Sequence, residues 1–223
     1  RAGVDDRIPG ARFCRQRAWI ALAWISSEPR HLLRCLRRYL VAAVALEEVI
    51  RAVLPPARAR HLALKWPNDL YWQDRKAGGI LIENLWGAAG NTSARDPEQE
   101  PWKGAVVGIG MNINQLNFPD ELTNPVSLRQ ITPATEELDL LEIARSLCQC
   151  LQHRLDQLAD TSADLLIKDY NTVLYKRGEL ITLRKGNQTW RTLLKSVDQQ
   201  GVLHTGIDQE TCFTWGEAEW IIE

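Results

Sequence analysis

Between Ala105 and Asn114 the chain alternates in the manner of an extended strand with two unlike faces. Val107, Ile109, Met111 and Ile113 fall on one side, and Gly108, Gly110, Asn112 and Asn114 on the other. The apolar side must be core. The opposite side carries two glycines, which leave a flat group room to lie on the sheet, and two amides able to hydrogen-bond ribose, phosphate or metal-bound water at its edge. Asn114 stands where the strand gives way to Gln115-Leu116-Asn117-Phe118-Pro119, so it reads equally as a turn residue and as a ligand contact. The pattern is not the dinucleotide fingerprint, because the third glycine is absent and no helix follows at once.

The rest of the chain supplies partners for such a strand. Residues 18–25 are short, apolar and bounded by polar residues, which predicts a buried strand. From Arg30 to Val53 leucines and valines recur at helical spacing until Pro55-Pro56 ends the run; Arg34, Arg37 and Arg38 are its expected solvated face. Leu62 to Trp66 predicts a strand running into a Pro67-Asn68-Asp69 turn, Tyr71 to Asp74 a second strand or hairpin tip, and Gly79 to Leu85 a third. Residues 87–104 have loop composition. Two amphipathic helices are expected over Asp139–Leu158 and Ser162–Leu174. After Gly178 the period shortens to strands at 180–183, 189–197, 202–205, 211–214 and 220–222, which predicts a small barrel burying Trp190, Trp215 and Trp220. The expected fold is therefore α+β, a mixed sheet flanked by helices over residues 1–174 and a small all-β domain over 175–223.

Bulk properties exclude several function classes. Lys plus Arg number 27 against 28 Asp plus Glu, so no overall field draws the chain to nucleic acid or to an anionic membrane. Five cysteines without framework spacing predict reduced thiols and a cytoplasmic location. Cys148 and Cys150 point to different faces of a helix and the four histidines are scattered, so no zinc site is expected. No signal peptide is expected from these residues, and they contain no run of about twenty apolar residues. The chain opens on Arg1, and a preceding portion is expected to be missing.

The chemistry concentrates in Lys65-Trp66-Pro67-Asn68-Asp69-Leu70 and Lys76-Ala77-Gly78-Gly79-Ile80-Leu81. Lysines supply mobile charges for phosphates, Asn and Asp orient a donor or a hydrated metal ion, and glycines let backbone approach a ligand. That inventory suits an anionic nucleotide. Singly, each residue has a structural reading: Trp66 as core, Pro67 as turn former, a lysine as solvated surface.

These two runs, followed in order by Gly108-Ile109-Gly110-Met111-Asn112-Ile113-Asn114, resemble the signatures of biotin–protein ligases. The resemblance implies a catalytic core related to class II aminoacyl-tRNA synthetases and lipoate ligases, with an SH3-like domain at the C-terminus. It implies Lys65, Asn68 and Asp69 at the nucleotide and biotin site, Lys76 against the biotin carboxylate and α-phosphate, and Gly78 and Gly79 as pocket backbone. Gly108 and Gly110 would belong to the slot, and Asn112 would contact the nucleotide. Lys76, Asp69 and Lys65 are the residues it implies for catalysis. The family's glycine- and arginine-rich loop is matched only in fragments, by Ala2, Gly3, Arg7, Gly10 and Arg12, with Asp5-Asp6 placing negative charge where the family has arginine.

The implied reaction uses ATP with Mg²⁺ to activate biotin as biotinyl-5′-adenylate. It then transfers biotin to a lysine of an apo biotin carboxyl carrier protein or acetyl-CoA carboxylase domain, with Asp69 a candidate to orient the acceptor amine. A lipoate or octanoate transferase of the same superfamily is the enzymatic alternative. A non-catalytic biotin or adenylate binder is the other, supported by the altered loop. No nucleic-acid or membrane partner is expected of these residues, and edge strands of the main sheet leave room for a homodimer.

Overall fold

In the computed structural model, residues 3–4, 11–13, 17–25, 33–86, 102–132, 136–160 and 163–222 are described. The strands are β1 (Gly3–Val4), β2 (Ala11–Phe13), β3 (Arg17–Ile25), β4 (Leu62–Lys65), β5 (Asp69–Trp72), β6 (Arg75–Trp86) and β7 (Trp102–Asn112), then β8 (Leu180–Lys185), β9 (Gln188–Val197), β10 (Leu203–Thr205), β11 (Thr211–Phe213) and β12 (Glu219–Ile221). The helices are α1 (Leu33–Val53), α2 (Pro56–Ala59), α3 (Leu128–Ile131), α4 (Leu140–Asp160) and α5 (Ala163–Thr172). One sheet runs β1-β2-β3-β7-β6-β5-β4 and the other β11-β10-β9-β8-β12. Neighbouring strands are antiparallel throughout.

The alternation that singled out β7 decides how the large sheet packs. Val107, Ile109, Met111 and Ile113 are buried together with Ile80 and Ile82 of β6, while Gly108, Gly110 and Asn112 keep partial access to solvent. Onto the buried face packs α1, whose residues from Leu40 to Leu46 are buried without interruption. Such a helix is apolar nearly all round because it is covered on both sides. It contacts β4, β5 and β6 on one flank and α4 and α5 on the other. Arg154 of α4 ties the helices together, donating to Glu48 of α1 at 2.9 Å and 3.1 Å and to Asp169 of α5 at 2.8 Å.

The two sheets share one apolar cluster, in which Ile181, Leu183, Leu194, Val197, Leu203 and Phe213 are continuous with the core beneath the large sheet. Polar contacts fix the junction. Leu64 of β4 exchanges backbone hydrogen bonds with the chain just beyond α5, donating to Val173 at 2.8 Å and accepting from Tyr175 at 2.9 Å. The Trp66 indole donates to the Gly201 carbonyl at 2.9 Å. The Asn171 amide pairs both ways with the Val197 backbone at 2.8 Å, satisfying two buried groups at once.

Three expectations are corrected. β7 begins at Trp102, inside the segment read as loop, while residues 87–101 lie outside the described residues. The strand after the Pro67 turn begins at Asp69 and not at Tyr71, with Gln73 and Asp74 at the hairpin tip, one of the two readings of this stretch. Trp215 is not core: it remains exposed with its ring edge-on to Tyr39 of α1, centroids 4.1 Å apart. Trp190 and Trp220 do pack against the core cluster.

Candidate active site

A local irregularity in β6 builds the site. Its register with β5 runs Asp69↔Gly79 and Leu70↔Gly78, then shifts so that Tyr71 faces Lys76, leaving Ala77 as the extra residue of a bulge. In a regular strand Lys76 and Gly79, three apart, would point to opposite faces. The bulge re-aims Lys76 onto the face of Gly79. Its ammonium therefore meets the Asp69 carboxylate at 2.7 Å, directly above Gly79, where an added Cβ would lie 3.0 Å from Asp69 Oδ1 and 3.6 Å from Lys76 Nζ.

Gly79 is also paired across the other side with Gly110 of β7. Two facing glycines leave the sheet bare at that point, with the charged pair at one end and Asn112 at the edge. The Asn112 side chain donates to the Lys76 carbonyl at 3.3 Å. Asn68 is anchored to β6 by its own backbone carbonyl, which accepts from Ile80 N at 2.8 Å, and by its side-chain amide, which donates to the Ile80 carbonyl at 2.8 Å. The Trp66–Pro67 peptide bond of this turn is cis.

These residues line a cavity of about 370 Å³. Besides Asn68, Asp69, Lys76, Gly78, Gly79, Gly110 and Asn112 it is walled by Ile80, Leu81, Met111, Leu122, Thr123 and Pro125. A mostly apolar hollow with one carboxylate, one ammonium and two amides suits a ligand with an apolar body and an anionic end. Leu81, 55% exposed, and Leu122 stand at its rim.

The wall from Leu122 to Pro125 did not emerge from sequence reasoning. It is held to β6 as a short parallel strap, Lys76 N donating to the Asn124 carbonyl at 2.8 Å and Val126 N to the Lys76 carbonyl at 2.9 Å. Its far end is fixed by a reciprocal cap at the start of α3, where Gln130 N donates to Ser127 Oγ at 3.2 Å and Ser127 N to Gln130 Oε1 at 3.1 Å. The signals present were the Asn124-Pro125 turn dipeptide and the Ser127-x-x-Gln130 spacing.

Not every residue assigned from sequence comes to the cavity. Gly108 shares the open face of β7 but lies one pair further along, opposite Leu81, and does not line it. Lys65 is also absent from the lining: its ammonium sits 5.5 Å from the Tyr71 ring and 5.3 Å from the Trp220 ring of β12, at the junction of the two sheets. Burial there lowers its pKa, an effect partly offset by the charge of Asp69, its cross-strand partner. Asn114 is structural; its buried amide donates to the Leu138 carbonyl at 3.0 Å and accepts from Leu138 N at 2.9 Å. Gly3 and Arg12 contribute backbone to β1 and β2, whose register pairs Gly3 with Phe13 and Val4 with Arg12. Arg7 lies outside the described residues.

An antiparallel sheet backed by helices, followed by a smaller antiparallel sheet, defines an architecture shared with solved biotin protein ligases. The crystal structure of biotin protein ligase from Aquifex aeolicus matches with a TM-score of 0.69 at 19% identity, over 93% of this chain and 83% of that one. The same enzyme in complex with biotin and ATP matches with a TM-score of 0.69 at 20% identity, over 93% and 79%. A model of the biotin/lipoate A/B protein ligase family matches residues 10–92. Among curated proteins, the bifunctional ligase/repressor BirA of Bacillus subtilis is 29% identical over 170 residues, covering 74% of this chain and 46% of that protein. The biotin–[acetyl-CoA-carboxylase] ligase of Paracoccus denitrificans is 28% identical over 174 residues, 73% of this chain and 63% of that protein. The chain thus spans about half the length of the Bacillus relative.

The chain is similar in fold to solved biotin protein ligases and in sequence to curated biotin ligases, and its residues 10–92 match the biotin/lipoate A/B protein ligase family.

Proposed function

We propose that this protein joins biotin to AMP at the expense of ATP and passes the biotinyl group to a lysine of a biotin carboxyl carrier domain. The observation that carries the reading is the Lys76–Asp69 pair at the end of a largely apolar cavity floored by Gly79 and Gly110. The aliphatic tail and thioether ring of biotin suit the apolar lining, the tail leading its carboxylate toward Lys76, while the polar ureido edge of the ring system would draw on the amide and backbone groups of the wall. In the first half-reaction a biotin carboxylate oxygen attacks the α-phosphorus of ATP, forming the mixed anhydride as the bond to pyrophosphate breaks. Two anions must meet, and a fixed ammonium lowers the cost of the encounter and of the charge on the transferring group. In the second, the acceptor amine attacks the biotinyl carbonyl carbon and AMP leaves.

Among the described residues Asp69 is the single carboxylate lining the cavity, so it is the residue fitted to share a Mg²⁺ ion with the phosphates of ATP. Such an ion would neutralise phosphate charge in the first half-reaction. Asp69 has a second role here: holding Lys76 Nζ over Gly79 fixes the ammonium before substrate arrives, and preorganisation of this kind lowers a barrier without later rearrangement. The exposed Leu81 and Leu122 at the rim suit an acceptor domain that must approach closely enough to deliver its lysine. Lys65 is a positioning residue in this scheme, on the same face of the β4–β5 hairpin as Asp69 but with its ammonium turned toward Tyr71 and Trp220.

The test is transfer. An apo biotin carboxyl carrier domain incubated with this protein, biotin and ATP should gain the mass of one biotinyl group on one lysine, and lipoate should not substitute. Transfer of lipoyl or octanoyl groups in preference would move the assignment to the acyl-transferase branch of the family.

A further inference from the structure

The smaller sheet carries a cluster remote from the cavity. His204 of β10 lies directly opposite Cys212 of β11 in the strand register, which brings their side chains to one face. Glu210 precedes β11 in the connecting turn. The Glu210 carboxylate lies 2.7 Å from His204 Nδ1 and the Cys212 sulfur 3.4 Å from the same nitrogen, and the three ligand atoms lie within 4.8 Å of one another. The other ring nitrogen, Nε2, is held at 2.8 Å by Asp198 Oδ2. We propose that this hairpin is a binding site for a borderline transition-metal cation such as Zn²⁺, ligated by His204 Nδ1, the Glu210 carboxylate and Cys212 Sγ, with a fourth position left to water.

The argument rests on how the donors converge. When Nε2–H donates to Asp198, neutral His204 turns an Nδ1 lone pair toward a carboxylate oxygen and a sulfur, three electron-rich atoms facing one point. Protons can satisfy these contacts in pairs, and the two carboxylates beside His204 favour its protonated form, but only a cation bonds all three donors together. Zn²⁺ accepts nitrogen, oxygen and sulfur ligands at about 2.0–2.3 Å in tetrahedral geometry, separations that modest opening of this cluster reaches. Asp198 supplies the orienting partner that metal-binding histidines commonly have. It is itself fixed, since its Oδ1 accepts from Gln200 N at 2.8 Å and from Val202 N at 3.0 Å.

The hairpin is built rigidly enough to present the donors together. Gly206 has a φ of 139°, and a Cβ there would fall 2.0 Å from the Gln209 carbonyl oxygen, so the turn closes as tightly as glycine permits. Thr205 Oγ1 donates to the Thr211 carbonyl at 3.1 Å, clamping the base of the loop. Binding would release the thiol proton of Cys212. The scattered histidines and cysteines of the sequence conceal this grouping, because strand pairing rather than spacing creates it.

Calorimetric titration of the whole protein with Zn²⁺, and electronic absorption with Co²⁺, test the site. One equivalent should bind, and Co²⁺ should show a sulfur-to-metal charge-transfer band with tetrahedral ligand-field intensity. His204→Asn and Cys212→Ser, both solvent-accessible changes, should weaken binding at least ~100-fold while leaving circular dichroism unchanged; Cys212→Ser should also abolish the charge-transfer band. Asp198→Asn keeps the Oδ1 acceptor but puts a donor against Nε2, which turns the proton onto Nδ1, and should weaken binding ~10- to 100-fold. Cys148→Ser should change nothing. Absence of stoichiometric binding, or binding that survives His204→Asn and Cys212→Ser, overturns the proposal.

Discussion

Gly78 and Gly79 are neighbours in one strand, yet the structure assigns them different work, and a single methyl group at each should separate fold from site. An added Cβ at Gly78 would stand 2.7 Å from the Gly110 carbonyl oxygen and 3.3 Å from Met111 Cγ, on the buried face. Reaching ordinary contact at 3.4 Å requires β6 and β7 to part by about 0.7 Å, and the nearest obstacle is backbone. Overpacking of this kind costs ~1–3 kcal/mol. At ~2–4 °C per kcal/mol for a chain of this size, Gly78→Ala should lower Tm by ~2–12 °C. At Gly79 the same methyl meets Asp69 Oδ1 at 3.0 Å and Lys76 Cε at 3.6 Å, both side-chain atoms able to yield. Its stability cost should stay below ~1 kcal/mol. The methyl would nevertheless cover the bare floor and push the charged pair off its position. Misplacement of that order should reduce kcat/KM for adenylate formation ~10- to 100-fold, about 1.4–2.7 kcal/mol. Thermal melts and pyrophosphate exchange on both variants decide it. Full exchange activity in Gly79→Ala, or an unchanged Tm in Gly78→Ala, would refute the division of labour.

Lys76→Ala should lower adenylate formation by at least ~100-fold with Tm within a few degrees of the parent, since its side chain is 45% exposed; an unchanged rate would remove Lys76 from the mechanism. Tyr71 is buried, and desolvation, followed by the charge of Asp69, pushes its phenol up to about 12. Between the ordinary pKa near 10 and about 12 the unfolded chain loses the proton that the fold retains, so stability must fall as pH rises through that window, by up to ~2.7 kcal/mol. Comparing denaturant unfolding of Tyr71→Phe with the parent at pH 9 and pH 12 should show the parent losing more; parallel losses would contradict the assignment. Asn171→Ala strips partners from the buried Val197 N–H and C=O and should cost ~1–3 kcal/mol in urea unfolding, with a shift of the midpoint and not of the slope.

Much of this arrangement was legible in the chain because local periodicity and burial agree. The alternation over 105–112 anticipated the buried and open faces of β7, though not the burial of Asn114 just beyond it, and the proline pair at 55–56 marked the end of α1 to within two residues. The charged and glycine residues of the cavity were legible as a set. What escaped has a common physical origin in contacts distant along the chain. Lys65 reads as a site lysine beside Asn68 and Asp69, but its ammonium lies between the rings of Tyr71 and of Trp220, 155 positions further on, and not in the cavity lining. Leu122–Pro125 has no strand periodicity because it adds to β6 by a bridge of only one residue pair, Lys76↔Pro125. The bulge at Ala77, which turns Lys76 toward Asp69, leaves no mark in composition, since alanine suits a regular strand as well as an irregular one. Trp215 reads as core by its size, but the turn before β12 leaves it outside.

The most direct test of the central claim is biotin-dependent exchange of labelled pyrophosphate into ATP, with lipoate and octanoate as parallel substrates. It reports adenylate formation without an acceptor. The account predicts exchange with biotin, little or none with the two fatty acids, and its loss in Lys76→Ala. A folded protein that binds biotin by calorimetry yet supports no exchange, or exchanges equally well without Lys76, would contradict it.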